Sequence, residues 1–177
     1  TVSNFLVSIP LEIYGFKLTW SAFSFPLVVL AIDLTIRVLG KSIARATITL
    51  SYPLAIISSI VVLLIEGSTE SVAFRIGFAS ATAYGVSTLL DVYLFQIIRE
   101  RYNAWWIAPS ISTIFANIID TYVFFFSAFS NSSDQYMADN WLEISATQSL
   151  IKIIIGLLLF LPFYGVLLNF ILKKFKK

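Results

Sequence analysis

Residues 46–65, ATITLSYPLAIISSIVVLLI, run for twenty positions without a charged side chain. Crossing the hydrocarbon core of a bilayer takes about 20 apolar helical residues. This stretch therefore reads as a membrane-spanning helix, and it decides the fold class. Four further runs, 19–39, 72–98, 106–130 and 145–172, are also long and apolar enough. A shorter apolar piece, 1–9, reads as the tail of another helix whose start lies upstream of Thr1. Composition agrees: only 12% of the chain is charged, where soluble domains have about a quarter. The expected fold is an all-α integral membrane protein, a bundle of six transmembrane helices with the first mostly missing. Its 177 residues are expected to form one domain, 1–177.

The connections between runs alternate in sign. One set holds Lys41, Arg45, Arg99 and Arg101, joined by the tail lysines 173, 174, 176 and 177, with Glu100 opposing. The other holds Glu12, Glu66, Glu70, Asp134, Asp139 and Glu143, with Lys17 opposing. Loops rich in Lys and Arg stay in the cytoplasm, so the C-terminus is expected inside. Trp20 and Trp141 sit where apolar runs meet polar loops, as interfacial tryptophans do. Residues 131–139 read as an exposed polar loop.

Several chemistries are excluded. The chain has no cysteine, so it has no disulfide or thiolate site, and no histidine, the commonest metal ligand and general base. No metal and no cofactor are expected. A net charge of +2 gives no nucleic-acid footprint.

The functional signal lies in six ionisable residues inside the apolar runs: Asp33, Arg37, Arg75, Asp91, Asp120 and Lys152. A charge in hydrocarbon is costly, so such residues face the bundle interior, pair, and mark substrate or ion paths. At about 1.5 Å rise per residue, they fall into two layers. Asp33, Arg37 and Asp91 form the inner one. Asp120 and Lys152 form the outer one, with Arg75 nearer the outer surface. Asp33 and Arg37 are i, i+4 neighbours, and a local ion pair is the plain expectation for them. All three of Asp33, Arg37 and Arg75 are assigned structural or gating roles.

Three helices carry polar stripes. Ser110, Thr113, Asn117 and Asp120 recur at spacings of 3, 4 and 3, and Ser80, Tyr84, Thr88 and Asp91 at 4, 4 and 3. Gln148 and Lys152 are i, i+4. The Ser and Thr members serve ordinary helix packing. Asn117 and Asp120 together offer donors and acceptors in one place. With flat aromatic faces nearby, such a pocket suits a planar heteroaromatic ligand with an amide-like edge. Asp33, Asp91 and Asp120 are equal candidates for carrying a proton.

The wording of the chain resembles the queuosine precursor transporter family, within the vitamin uptake transporter group. The resemblance rests on Phe23–Ser24–Phe25–Pro26, on Asp33–Leu34–Thr35–Ile36–Arg37 with Gly40, and on Ala44–Arg45. It continues through Trp105–Trp106–Ile107–Ala108–Pro109, Ser112–Thr113, Asn117 and Asp120–Thr121, and closes on Leu161–Pro162–Phe163–Tyr164–Gly165–Val166–Leu167–Leu168–Asn169. It implies a six-helix protein of the bacterial inner membrane, folded like vitamin-binding S-component subunits. It also implies import of 7-cyano-7-deazaguanine and 7-aminomethyl-7-deazaguanine for the queuosine modification of tRNA. Many members carry Glu where this chain has Arg37, a reversal of charge that suits a local ion pair better than a shared ligand role.

On that reading Asp120 takes the two N–H donors of the deazaguanine edge and Asn117 serves its carbonyl. Lys152 or Gln148 completes the set, Phe25, Tyr84 or Trp105 stacks on the ring, and Asp91 meets an aminomethyl cation. The expected activity is transport, not catalysis. No P-loop is present, and an energising partner subunit is not expected. The alternative is a substrate-capture subunit or transporter for another purine-like or vitamin ligand. An intramembrane enzyme built on Asp33 and Asp91 lacks a companion nucleophile or metal set, and an assembly protein would use every charge as a helix lock.

Overall fold

The computed structural model describes residues 10–13, 16–19, 24–65 and 67–175, with side chains over 31–65, 67–170 and at Lys173. The expectations for 1–9 and for Trp20 lie outside the described residues. The chain opens with a hairpin of two short antiparallel strands, β1 (Pro10–Ile13) and β2 (Phe16–Thr19). Its register sets Glu12 opposite Lys17 and Leu11 opposite Leu18. This strand pair is a departure from an all-helical chain, and no apolar periodicity announced it.

Six helices follow: α1 (Ser24–Leu39), α2 (Lys41–Ile65), α3 (Glu70–Arg101), α4 (Ile107–Phe129), α5 (Gln135–Ile155) and α6 (Leu161–Phe175). A π-helical turn, Gly156–Phe160, joins α5 to α6. Among the described residues, four segments are long and apolar enough to cross a membrane: Lys41–Ile65, Glu70–Arg101, Ile107–Phe129 and the continuous Gln135–Phe170. α1 has 16 residues, a length of about 24 Å, shorter than a typical hydrocarbon core.

The helix ends follow local chemistry. Gly40 (φ 91°) and Gly67 (φ 87°) adopt the left-handed conformation that L side chains avoid. Gly40 N donates to Ile36 O at 3.0 Å and closes α1. After α2, Ser68 N reaches Leu63 O and Gly67 N reaches Leu64 O, the two bonds of a Schellman motif. The loop expected over 131–139 is shorter than that. Asp134 Oδ1 accepts from Met137 N at 3.1 Å, so α5 begins at Gln135 on an N-cap.

Burial divides the helices into inside and lipid-facing surfaces. On α2, Leu50, Leu54, Ile57, Val61 and Leu64 all point outward at alternating spacings of 4 and 3. On the last long helix Leu158, Leu159, Phe163, Val166 and Phe170 are exposed as well. Apolar surface on this scale would be untenable in water and is expected against lipid. Lipid tails supply little hydrophobic force between helices, so close packing must replace it. Gly77, Ala81 and Gly85, four residues apart on α3, are all buried. A Cβ at Gly77 would lie 2.6 Å from Ile60 Cγ1, and one at Gly85 would lie 2.9 Å from the Tyr52 ring. These small residues let α2 lie directly on α3. The broadest helix contact is α3 with α4, and these two helices carry most of the buried polar groups.

Candidate functional site

The interior charges separate into two groups. In the first, Lys152 on α5 reaches across to α4: its Nζ lies 3.1 Å from Asp120 Oδ2 and 3.2 Å from Thr121 Oγ1. Both side chains are buried. Ser87 on α3 stands beside Asp120 and completes the surroundings of this ion pair. A buried ion pair roughly balances its own desolvation, but removing one member leaves an uncompensated charge, at a cost of about 3–5 kcal/mol.

The second group is different. Asp33 on α1 and Asp91 on α3 are 1% and 0% exposed. Their carboxyl groups are electrostatic neighbours, and Ser112 on α4 stands beside Asp91. Two ionised carboxylates can only accept, and Asp33 Oδ1 and both oxygens of Asp91 are left without a donor. The expected Asp33–Arg37 ion pair does not form. Four helical residues advance about 400°, so Arg37 sits about 40° further round α1. From there its guanidinium donates to Tyr164 Oη on α6 at 3.4 Å, while Asp33 faces α3.

Between these groups lies Asn117, fully buried on α4. Its Nδ2 donates to Thr113 O at 2.8 Å, and its Oδ1 is left without a partner. Asn117 and Thr113 both approach Gly156: a Cβ there would lie 3.1 Å from Thr113 Cγ2 and 3.9 Å from Asn117 Nδ2. Gly156 opens the π-helical turn, and such turns are often found at functional sites. A cleft opens along this turn, and its lining includes Asp33, Pro109, Thr113, Gly156, Phe160 and Tyr164. Its empty space, open mouth included, is about 290 Å³. The room for water-sized spheres is about 20 Å³, enough for about one water molecule. This cleft is therefore smaller than the hollow for a flat heterocycle expected from the sequence.

The remaining expected site residues take varied places. Trp105 stacks on Tyr164 with ring centroids 6.4 Å apart and planes 21° apart. Gly165 makes room for it, since a Cβ would come within 2.6 Å of the indole. Trp105 thus borders the cleft through Tyr164. Tyr84 is partly buried against the core cluster that holds Ile32, Ile36, Val92 and Phe95. Gln148 is half-buried one turn before Lys152. Phe25 falls in the first turn of α1, and its side chain lies outside the described residues. Arg75 donates to the carbonyls of Ser130 at 2.5 Å and Asn131 at 3.1 Å. It caps the C-terminal end of α4, where carbonyls lack helical partners. The two polar stripes are partly self-satisfied: Ser110 and Thr88 donate back to Trp106 O and Tyr84 O.

Sequence reasoning assigned no role to Ser87, Ser112, Gly156 or Tyr164. The lone glycine in the apolar run 153–160 was the available signal for the turn.

Residues 19–167 match the family described as "Putative vitamin uptake transporter". The chain is 42% identical to the "Queuosine precursor transporter" of Escherichia coli (strain K12), over 98% of this chain and 83% of that protein. This chain belongs to the queuosine precursor transporter family. Membership together with four apolar helices makes it a multi-pass membrane protein. It is also 39% identical to the "Probable queuosine precursor transporter" of Haemophilus influenzae, over 97% of this chain and 83% of the relative. A "Probable queuosine precursor transporter" of Bacillus subtilis is 25% identical over 88% of this chain and 74% of its own length. No solved structure matches.

Proposed function

We propose that this chain imports queuosine precursors, 7-cyano-7-deazaguanine and 7-aminomethyl-7-deazaguanine, across the bacterial inner membrane for tRNA modification. The observation that carries this reading is two buried acceptors without donors at the π-turn, Asp33 Oδ1 on an Asp that lines the cleft and Asn117 Oδ1 on the residue beside Gly156. A deazaguanine edge presents N–H donors beside a carbonyl, and a site with orphaned acceptors selects such a ligand, because an analogue without the donors leaves them unpaired. The name of the 42% identical relative, queuosine precursor transporter, points to the same ligand class.

The assignment of the base-binding edge shifts accordingly. Asp120 is engaged by Lys152 and serves as an outer lock, while Asn117 Oδ1 and Asp33 Oδ1 receive the ligand's N–H groups. Asn117 Nδ2 can turn from Thr113 O to the ligand carbonyl. Trp105 and Tyr164 supply a flat wall, with Gln148, Tyr84 and Phe25 as outer contacts that ring stacking could recruit. Movement of α6 about the π-turn opens the cleft. The bundle has six spans and the S-component-like arrangement, with the C-terminus in the cytoplasm, in keeping with the basic loops. It works without an energising subunit. The family description favours one second reading, a carrier for another vitamin or purine-like ligand.

The test is uptake of labelled 7-deazaguanines by cells that cannot make the precursor and that express the intact chain. Import is expected with the native chain and is expected to fall at least tenfold with Asn117→Ala at equal membrane insertion. Equal uptake by the variant overturns the site. No uptake by the native chain overturns the function, and guanine, queuine and riboflavin as competitors identify the second reading.

A further inference from the structure

The three buried carboxylates are no longer equivalent once their surroundings are known. Asp120 has a cation on it at 3.1 Å. Asp33 and Asp91 have each other. Among the described residues, the charged or titratable groups around this pair can be named. Arg37, on the same helix as Asp33, is turned to Tyr164 Oη. Tyr164 lines the cleft with Asp33. Arg99, at the exposed end of α3, acts on Arg37 and Tyr164. From α4 comes only the neutral Ser112. No ammonium or guanidinium lies within ion-pair distance of either carboxylate among the described residues.

Arg75 donates to carbonyls in the loop after α4 and Lys152 to Asp120, so neither neutralises this pair. An uncompensated charge at membrane depth is strongly disfavoured, and two adjacent carboxylates in an apolar site hold one proton between them sooner than two charges.

We propose that Asp33 and Asp91 share one proton and that this proton travels with the substrate, making the chain a proton symporter. Asp33 lines the cleft and Asp91 stands behind it, so the carboxyl that meets the ligand is also the one that senses the proton. With the proton in place the pair carries one charge in place of two, and the loaded carrier can rearrange. Once the cleft opens inward, water reaches Asp33, and proton and ligand leave together. This coupling rests on the import reading above.

Two measurements on the full-length chain test it. Infrared spectra of the protein in lipid, at neutral pH and without ligand, should contain the C=O stretch of a protonated carboxylic acid that shifts in D2O. The band should vanish in the Asp33→Asn/Asp91→Asn double variant and persist in Asp120→Asn. A missing band in the native chain, or one that tracks Asp120, overturns the shared proton whatever the substrate. In liposomes holding only this chain, labelled 7-cyano-7-deazaguanine should accumulate at least tenfold when the outside is acidic, and a protonophore should abolish this. In Asp91→Asn the ratio of accumulation to exchange should fall to about one. Native exchange that ignores the pH gradient overturns coupling and leaves import standing, whereas a native chain without exchange overturns import and leaves the infrared result to decide the proton.

Discussion

The two polar clusters of the bundle are built from the same chemistry and finished differently. At one, Lys152 donates to both Asp120 and Thr121, so carboxylate and ammonium are partnered. At the other, Asp33 and Asp91 face each other with three oxygens unsatisfied. Satisfied buried networks rigidify a core, and partly satisfied ones are held at a cost in stability. The difference separates a lock from a working site. Proteins retain such costs where ligand or proton completes the set.

The largest effect should come from breaking the lock. Lys152→Met leaves Asp120 buried without its cation and should lower stability by about 3–5 kcal/mol. Thermal unfolding in detergent measures it. The paired change Asp120→Leu with Lys152→Met should recover most of the loss, because a well-packed apolar pair removes both desolvation penalties. If the single variant unfolds like the native chain, the two clusters are energetically alike and the contrast dissolves.

The working cluster should respond in the opposite sense. Asp33→Asn removes a buried carboxylate that has no cation, so stability should hold or rise by about 1 kcal/mol, in the manner of active-site relief. Import should fall at least tenfold. A stability loss as large as that of Lys152→Met would make Asp33 a structural lock instead.

A control outside both clusters sets the scale of packing alone. Gly77→Leu drives a side chain into Ile60, whose Cγ1 would already lie 2.6 Å from a Cβ. Overpacking of this kind costs about 1–3 kcal/mol. The melting temperature should drop between those of the native chain and Lys152→Met.

Much of this contrast was legible in the chain, and the rest was not for physical reasons. Length and hydropathy carry the spanning helices, because a bilayer imposes both. The 3.6-residue period put Asn117 and Asp120 on one stripe, and depth counting put Lys152 level with Asp120. The same period misassigned Asp33. Spacing identifies neighbours along one helix, whereas its partner Asp91 comes from another helix and is set by how α1 packs on α3. The π-turn at Gly156 follows from packing against Thr113 and Asn117, which a single sequence does not encode as a pattern. The early start of α5 turned on one side chain, the cap at Asp134, against a polar composition that favoured a loop. The hairpin over Pro10–Thr19 depends on backbone pairing, to which hydropathy is nearly blind.

The smallest effect tests how the working cluster is held open to protons and ligand. Arg37 is drawn off Asp33 by Tyr164 through one long contact of 3.4 Å. Tyr164→Phe removes the hydroxyl and keeps the ring stacked on Trp105. The lost bond is worth about 0.5–1.5 kcal/mol, so the melting temperature should move little. Released from Tyr164, the guanidinium can swing one turn back along α1 to the unsatisfied Asp33 Oδ1. That would supply the missing cation and turn the second cluster into a copy of the first. Import should then fall several-fold while stability is kept or improved. Unchanged import would mean that the position of Arg37 is set by the helix itself, with the tyrosine a bystander to the difference between the two clusters.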